Sequence, residues 1–449
     1  MNANFFLLLT YLTGGIALGA VCLAYMRSRD TFHPMIYLGL MLFALYCSLP
    51  LQLFSSNPEG VLSYLSIQHL EFVQTLNLLG VVSICAGVLS GDRALRLPKR
   101  NLLTLELPPT INNRLKKAAI FLGFLGVLSF VYTIANVGGL AGAYGRSYGG
   151  GSAASGWVRD GVFLTLPALL WFMTVHRKQR LLKTDWALVM IFASPHIIQG
   201  LLGARRGPTA MIIIALVVGW YLIRSCRPSL IQVIIGGAIL GFLMLFLVSN
   251  RDQIYIGSDL NFDYDTTAIV EEVSGGNEFI YGGGAVVNAN LRNKYFWGRR
   301  YFTVFFIRPI PKQLWPTKYR DSSVFLGIPS IEQNLGVGAD EFTETLGWAG
   351  SVGAAPGIIA DMWIEFSWLF LMALYLIGWA YGTVWQRAVT KGNLWIPVYT
   401  LMTALSVYLI TQTLEAMAFR FLMTSVGSWL IWRYGVSGKV LKTQHNYPN

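Results

Sequence analysis

The sequence predicts an all-α polytopic membrane protein, with about 11 transmembrane helices and one large extracytoplasmic loop. Three observations carry that prediction. Only 12% of the 449 residues are charged and 54% are hydrophobic, with a mean hydropathy of +0.52, whereas about a quarter of a soluble chain is charged. Apolar windows of 18 or more residues recur, each long enough to cross the hydrocarbon as a helix of about 20 residues. Between two runs of such windows lies a polar and aromatic stretch, residues 250–357. Repeated helices keep backbone hydrogen bonds satisfied in lipid, which makes them the expected solution.

The spans are expected near 5–26, 35–54, 69–90, 118–136, 160–175, 186–203, 208–223, 230–249, 358–384, 394–413 and 420–435. The chain then divides into N-terminal helices (1–249), the large loop (250–357), C-terminal helices (358–435) and a tail (436–449). The first apolar stretch lacks a basic leader and a small-residue cleavage site, so it is read as a retained span. Cys22, Cys47, Cys85 and Cys226 are scattered and form neither a metal-ligand spacing nor a disulfide framework.

The net charge of +12 would suit nucleic acid, but its distribution does not. The connections after the first, third, fifth, seventh, ninth and eleventh spans, with Arg433 at the end of the last span, hold 20 of the 34 Lys and Arg against Asp30, Asp92, Glu106 and Asp185, a net of +16. The opposite side holds 14 against 18 acids, a net of −4. Basic residues collect on the cytoplasmic side of membrane proteins. The excess is therefore topological, nucleic acid is not the expected partner, and the large loop is expected outside, with the C-terminus inside.

Two stretches ahead of the large loop carry candidate chemistry. Val137–Gly156 reads VGGLAGAYGRSYGGGSAASG, too rich in glycine for a stable helix or strand. It is either a flexible connector or a backbone surface for a ligand, with Arg146 inside it. No Gly-Lys-Ser/Thr follows, which excludes a Walker loop. Arg205-Arg206-Gly207-Pro208 sits at the outer end of a tight helical hairpin, against the inside bias. Those arginines either snorkel to headgroups or bind phosphate, for which a planar, permanently charged guanidinium is suited. Pro208 fits a first helical turn, whose dipole would add to an anion site. His196, inside the sixth span, is read first as a hydrogen-bonded core residue.

The large loop begins acidic, but its spacing lacks the glycine and closing glutamate of a calcium loop, so no metal is expected. Gly282-Gly283-Gly284 is expected to mark a turn. Arg292, Lys294, Arg299 and Arg300 alternate with Tyr295, Phe296 and Trp297, a pattern suited to a membrane interface or to sugar faces. Phe302–Arg320 follows as FTVFFIRPIPKQLWPTKYR. Its three prolines are expected to hold Arg308, Lys312 and Lys318 in an extended, pre-organised shape. A stiff cationic segment suits a lipid diphosphate, because little entropy is left to lose on binding.

Ile310-Pro311-Lys312-Gln313-Leu314-Trp315-Pro316-Thr317-Lys318-Tyr319 resembles the extracytoplasmic core of O-antigen polymerases of the Wzy type, the oligosaccharide repeat unit polymerases. That core typically reads Ile-Pro-Arg-x-Leu/Trp-Trp-Pro-x-Lys-Pro, so Lys312 and Tyr319 depart from it. Asp361-Met362-Trp363-Ile364-Glu365-Phe366-Ser367 loosely resembles the Glu-Tyr-x-Asn-Phe-Gly-like entry to a later span, and the Arg-Arg-Gly turn at 205–207 resembles an arginine-glycine turn of the family.

The resemblance implies transfer of a growing glycan from undecaprenyl diphosphate onto an undecaprenyl-diphosphate-linked repeat unit, at the outer face of a bacterial inner membrane. It implies no cofactor and no metal, since cationic clamps can stabilise a departing diphosphate. Arg205, Arg206, Arg308, Lys312, Lys318 and Arg420 are the expected clamp, with Glu415 as a candidate partner of Arg420. Asp361 or Glu344 is the expected general base. Arg146 and Trp315 are the candidate sugar contacts, and a chain-length regulator is a candidate protein partner. The alternatives are a transporter or flippase of lipid-linked saccharides, a related O-antigen ligase-like transferase, and a non-catalytic assembly subunit.

Overall fold

Every regular element among the described residues is a helix. The computed structural model describes residues 4–92, 107–147, 149–150, 156–177, 181–250, 252–258, 278–311, 313–327, 346–348 and 355–437. Among the described residues, eight helices are long and apolar enough to cross a bilayer: Asn4–Ser28, Pro34–Ser56, Ile67–Gly91, Pro109–Ala135, Val158–Val175, Arg206–Ile223, Leu230–Leu247 and Gly357–Lys391. Trp395–Thr411 is a shorter apolar helix. The remaining two expected spans form Lys183–Leu201 and Leu414–Val436. Lys183 and Asp185 dilute the first, and Glu415, Arg420 and Arg433 the second.

The chain condenses into two units. The first comprises Met1–Pro98, Asp265–Gln386 and Ser406–Phe419; the second comprises Lys99–Tyr264, Arg387–Leu405 and Arg420–Asn449.

In the first unit, Asn4–Ser28 packs on Ile67–Gly91 and on Pro34–Phe43. Ile67–Gly91 also meets Phe370–Lys391 through two reciprocal pairs of glycines. A Cβ at Gly87 or Gly91 would collide with the backbone of Tyr375 or Trp379, and one at Gly378 or Gly382 with that of Ile84 or Val88. Small residues four apart on both helices let the two backbones touch, a packing mode that works in lipid because it does not depend on apolar contrast with the surroundings. Ser90 Oγ gives its proton to Gly87 O at 2.9 Å and accepts from Tyr375 Oη at 2.8 Å across the same crossing. At one end of this bundle His33 caps Pro34–Phe43 by accepting from Met35 N at 3.1 Å, and its Nε2 meets Asp92 at 3.1 Å. Trp385 lies edge-on to His33 at 4.4 Å and donates to Asp30 at 3.2 Å.

In the second unit, Pro109–Ala135 packs along Thr165–Val175. Trp171 donates to Ser428 at 2.8 Å and stacks on Trp432 at 5.7 Å. Lys116 Nζ lies 3.1 Å from His176 Nε2, and His176 Nδ1 lies 2.8 Å from Phe172 O. The carbonyl must accept, so Nδ1 carries the proton and Nε2 accepts from the ammonium. Leu230–Leu247 is apolar on every side and only 6% of its residues are buried, as expected of a helix facing lipid.

Three local expectations are corrected. Gly282–Gly284 lies inside the helix Glu278–Arg292 and marks no turn. A Cβ at Gly282 would strike Pro356 O and one at Gly284 the Trp348 indole, so these glycines serve close packing. Part of the glycine-rich stretch forms the short helix Gly139–Tyr144, anchored by the buried Tyr144 ring. The proline segment is not extended: it runs through a π-turn at Thr303–Ile307, successive turns, and the helix Lys318–Leu326. Hydrogen bonds from Leu314 N and Trp315 N to Pro311 O, at 3.0 and 3.2 Å, close the chain on itself.

Candidate functional site

The first unit contains a buried polar knot built on the helix Gly357–Phe366. Asp361 and Glu365 are four residues apart and therefore share a helix face. Ser367 turns left-handed at φ 48° and ends the helix, which leaves terminal carbonyls without intrahelical donors. The segment 296–298 supplies them. Phe296 N donates to Ile364 O at 3.0 Å and Trp297 N to Glu365 O at 2.7 Å. Gly298, at φ 79°, turns the chain so that its N–H meets the Glu365 carboxylate at 2.8 Å.

Two residues further on, Arg300 reaches both acids: one terminal nitrogen donates to Asp361 and Nε donates to Glu365. Tyr301 Oη and Leu414 N donate to the other Asp361 oxygen at 2.8 and 2.9 Å. Arg300 is 1% exposed, and Asp361 and Glu365 are 0% exposed. Burial opposes the charge of Arg300, but the two carboxylates outweigh it and hold the guanidinium well above its ordinary range. Burial, then the Asp361 carboxylate, pushes the Tyr301 phenol well up, so Tyr301 is a neutral donor. Asp361, an expected base, thus binds three donors from two separate segments, 300–301 and Leu414. Arg300 was not singled out by sequence; the signal was an Asp and a Glu at helical i, i+4 spacing at the head of an apolar helix, a pair that needs a buried cation.

The proline segment is braced from within. Lys318 is 2% exposed and its ammonium donates to the carbonyls of Ile307 at 3.2 Å, Arg308 at 3.0 Å and Ile310. An ammonium has three donors, so these carbonyls occupy the group expected to bind phosphate, and Lys318 acts on the shape of the segment. The half-buried Trp315 packs on Ile307 and Tyr319, and its indole donates to Asp321 at 2.7 Å, beside a 2.7 Å bond from Thr317. The Thr317 and Trp315 hydrogen bonds pull the Asp321 carboxyl below its ordinary value. The Arg308 guanidinium lies 3.8 Å from the centroid of the Phe419 ring, a cation–π contact with the first turns of Leu414–Val436. Lys312 and Glu344 lie outside the described residues.

The second unit holds Arg146, Arg205, Arg206 and Arg420. Ala204 turns left-handed at φ 45° between Lys183–Leu201 and Arg206–Ile223, and Arg205 N closes the turn on Gly200 O at 2.9 Å. Gly200 fits against Thr209, which lets the two helices meet closely. Arg205 and Arg206 are exposed, and Arg205 donates to Gly149 O at 2.9 Å, tying the turn to the glycine-rich stretch. Arg146 is exposed, and Arg420 lies 5.7 Å from the Phe163 centroid. His196 is fully buried with Nε2 3.1 Å from Thr165 Oγ1, whose own proton goes to Val162 O at 2.8 Å. Nε2 therefore donates, and this histidine joins two helices. Compared with known protein families, curated proteins and solved structures, the chain matches none of them.

Proposed function

We propose that the chain is a membrane glycosyltransferase, a polysaccharide polymerase that moves a growing glycan from undecaprenyl diphosphate to an undecaprenyl-diphosphate-linked repeat unit. The observation that carries this reading is the self-braced segment 302–327. It spends one cation, Lys318, on its own backbone and fixes another, Arg308, by stacking on Phe419. A cation held in place by the fold suits a departing diphosphate, because the stabilising charge is set before the reaction begins. The Wzy-type resemblance of residues 310–319 supports the same reading.

In this reading Arg308 binds diphosphate, Lys312 is a further cationic ligand, and Lys318 positions Arg308 by holding its carbonyl. Trp315 meets sugar in the first unit; taken by itself, the second unit offers Arg205, Arg206 and Arg420 as phosphate ligands and Arg146 as a sugar contact. The chain lies in a bacterial inner membrane with the large loop periplasmic. Guanidinium groups do the electrostatic work that a metal does in other transferases.

The test is an assay of the purified full chain in proteoliposomes with undecaprenyl-diphosphate repeat units. Chain growth without ATP or an ion gradient is expected. Movement of the lipid between leaflets without new glycosidic bonds would make the protein a transporter and overturn the proposal.

A further inference from the structure

Asp361, Glu365 and Glu415 share one electrostatic neighbourhood in the first unit, together with Arg300 and Arg308. Two of these acids are closed. Asp361 and Glu365 are sealed from solvent, with Arg300, Tyr301, Gly298 and Leu414 directed at their oxygens. A carboxylate held that way has no open face for a substrate hydroxyl.

Glu415 differs in each respect. It follows Leu414, whose N–H is docked on Asp361, so the backbone beside it is fixed. It stands in the first turn of Leu414–Val436, ahead of the apolar span that begins near 420, and is only partly buried. Among the described residues its carboxylate has neither a hydrogen bond nor an ion pair. Phe419 lies four residues on, and residues four apart share a helix face. Arg308 sits on that Phe419 ring at 3.8 Å. A partly buried carboxylate and a fixed guanidinium are therefore presented one helical turn apart.

We propose that Glu415 is the general base of the glycosyl transfer and that Arg308 beside it holds the diphosphate. The proposal rests on the transferase reading. In one displacement the acceptor hydroxyl oxygen bonds to the anomeric carbon of the donor glycan. The bond from that carbon to the diphosphate oxygen breaks, and its electron pair leaves with undecaprenyl diphosphate. The hydroxyl proton passes to Glu415, which releases it to water.

The experiment compares wild type, Glu415→Gln and Glu415→Asp as full chains in proteoliposomes. It measures chain growth on undecaprenyl-diphosphate repeat units from pH 5 to 9, binding of undecaprenyl diphosphate, and thermal unfolding. The expected result is growth by wild type with an acid limb that reports protonation of a base, and a loss of about 10²- to 10⁴-fold in Glu415→Gln. Binding and unfolding should stay at wild-type values. Glu415→Asp should grow chains slowly, with the acid limb displaced. If wild type grows chains and Glu415→Gln matches it, or Glu415→Asp keeps the wild-type rate and limb, Glu415 is not the base and the transferase reading stands. If wild type forms no glycosidic bond, both fall together.

Discussion

Arg300 binds Asp361 and Glu365 with a single guanidinium, and all three side chains are buried. That pairing fixes the segment 296–301 on the helix Gly357–Phe366 and, through Leu414, on the head of the last helix. It separates acids that organise the first unit from those left open to a ligand.

Removing one member of this knot strands the others as buried charges, which costs about 3–5 kcal/mol. Asp361→Ala and Arg300→Ala are expected to lower the unfolding temperature markedly in detergent, and to abolish any activity along with the fold. Asp361→Ala that unfolds like wild type yet is inactive would return Asp361 to direct contact with substrate.

Lys318→Met should loosen the segment 302–327, because three carbonyls lose their shared donor and each unmade buried bond costs about 1–3 kcal/mol. Limited proteolysis should cut within that segment in the variant and not in wild type. Lys318→Arg should fail to restore protection, since a planar guanidinium cannot reproduce the ammonium's geometry.

Arg308→Ala and Arg205→Ala are expected to abolish polymer while leaving the unfolding temperature unchanged, measured on the same purified samples. Full activity in either would remove that arginine from the site. Arg308 is the more demanding test, because its stacking on Phe419 holds it where Glu415 also stands.

The Gly87–Gly91 and Gly378–Gly382 crossing should not accept a larger side chain. Gly87→Leu and Gly378→Leu are each expected to cost about 1–3 kcal/mol or more through overpacking. Gly237→Leu, on a helix where a Cβ meets open space, should leave thermal unfolding near wild type.

Asp321 anchors the Trp315 indole, and its carboxyl is held below the ordinary 3.8. A depressed folded-state value means that the anchor is complete above pH 3.8 and weakens as pH falls through the folded value. The group is exposed, so the effect on global stability is small. The fluorescence difference between wild type and Trp315→Phe should change below pH 3.8 and stay flat above it. A transition near neutral pH would disprove this assignment.

How much of the site was legible differed from residue to residue. Arg308 and Trp315 stood out because three prolines, a tryptophan and alternating cations occur in one short run. Asp361 also stood out, through its place at the head of a span, but its partner Arg300 was one cation among four. Glu415 was read only as a neighbour of Arg420. No local pattern reveals that the last helix starts on Asp361, because that contact joins residues 53 positions apart.

The sequence by itself determined the helical membrane class and the positions of the eight long apolar helices, because hydropathy and span length are local sums along the chain. It also located the charged stretch between them. Only the tertiary structure decided which charges are spent internally. Lys318 and Arg300 read alike as loop cations, yet one braces three carbonyls and the other neutralises two buried acids. Whether a charged group serves the fold or stays open to a ligand depends on which distant donors and acceptors reach it, and that is a property of packing.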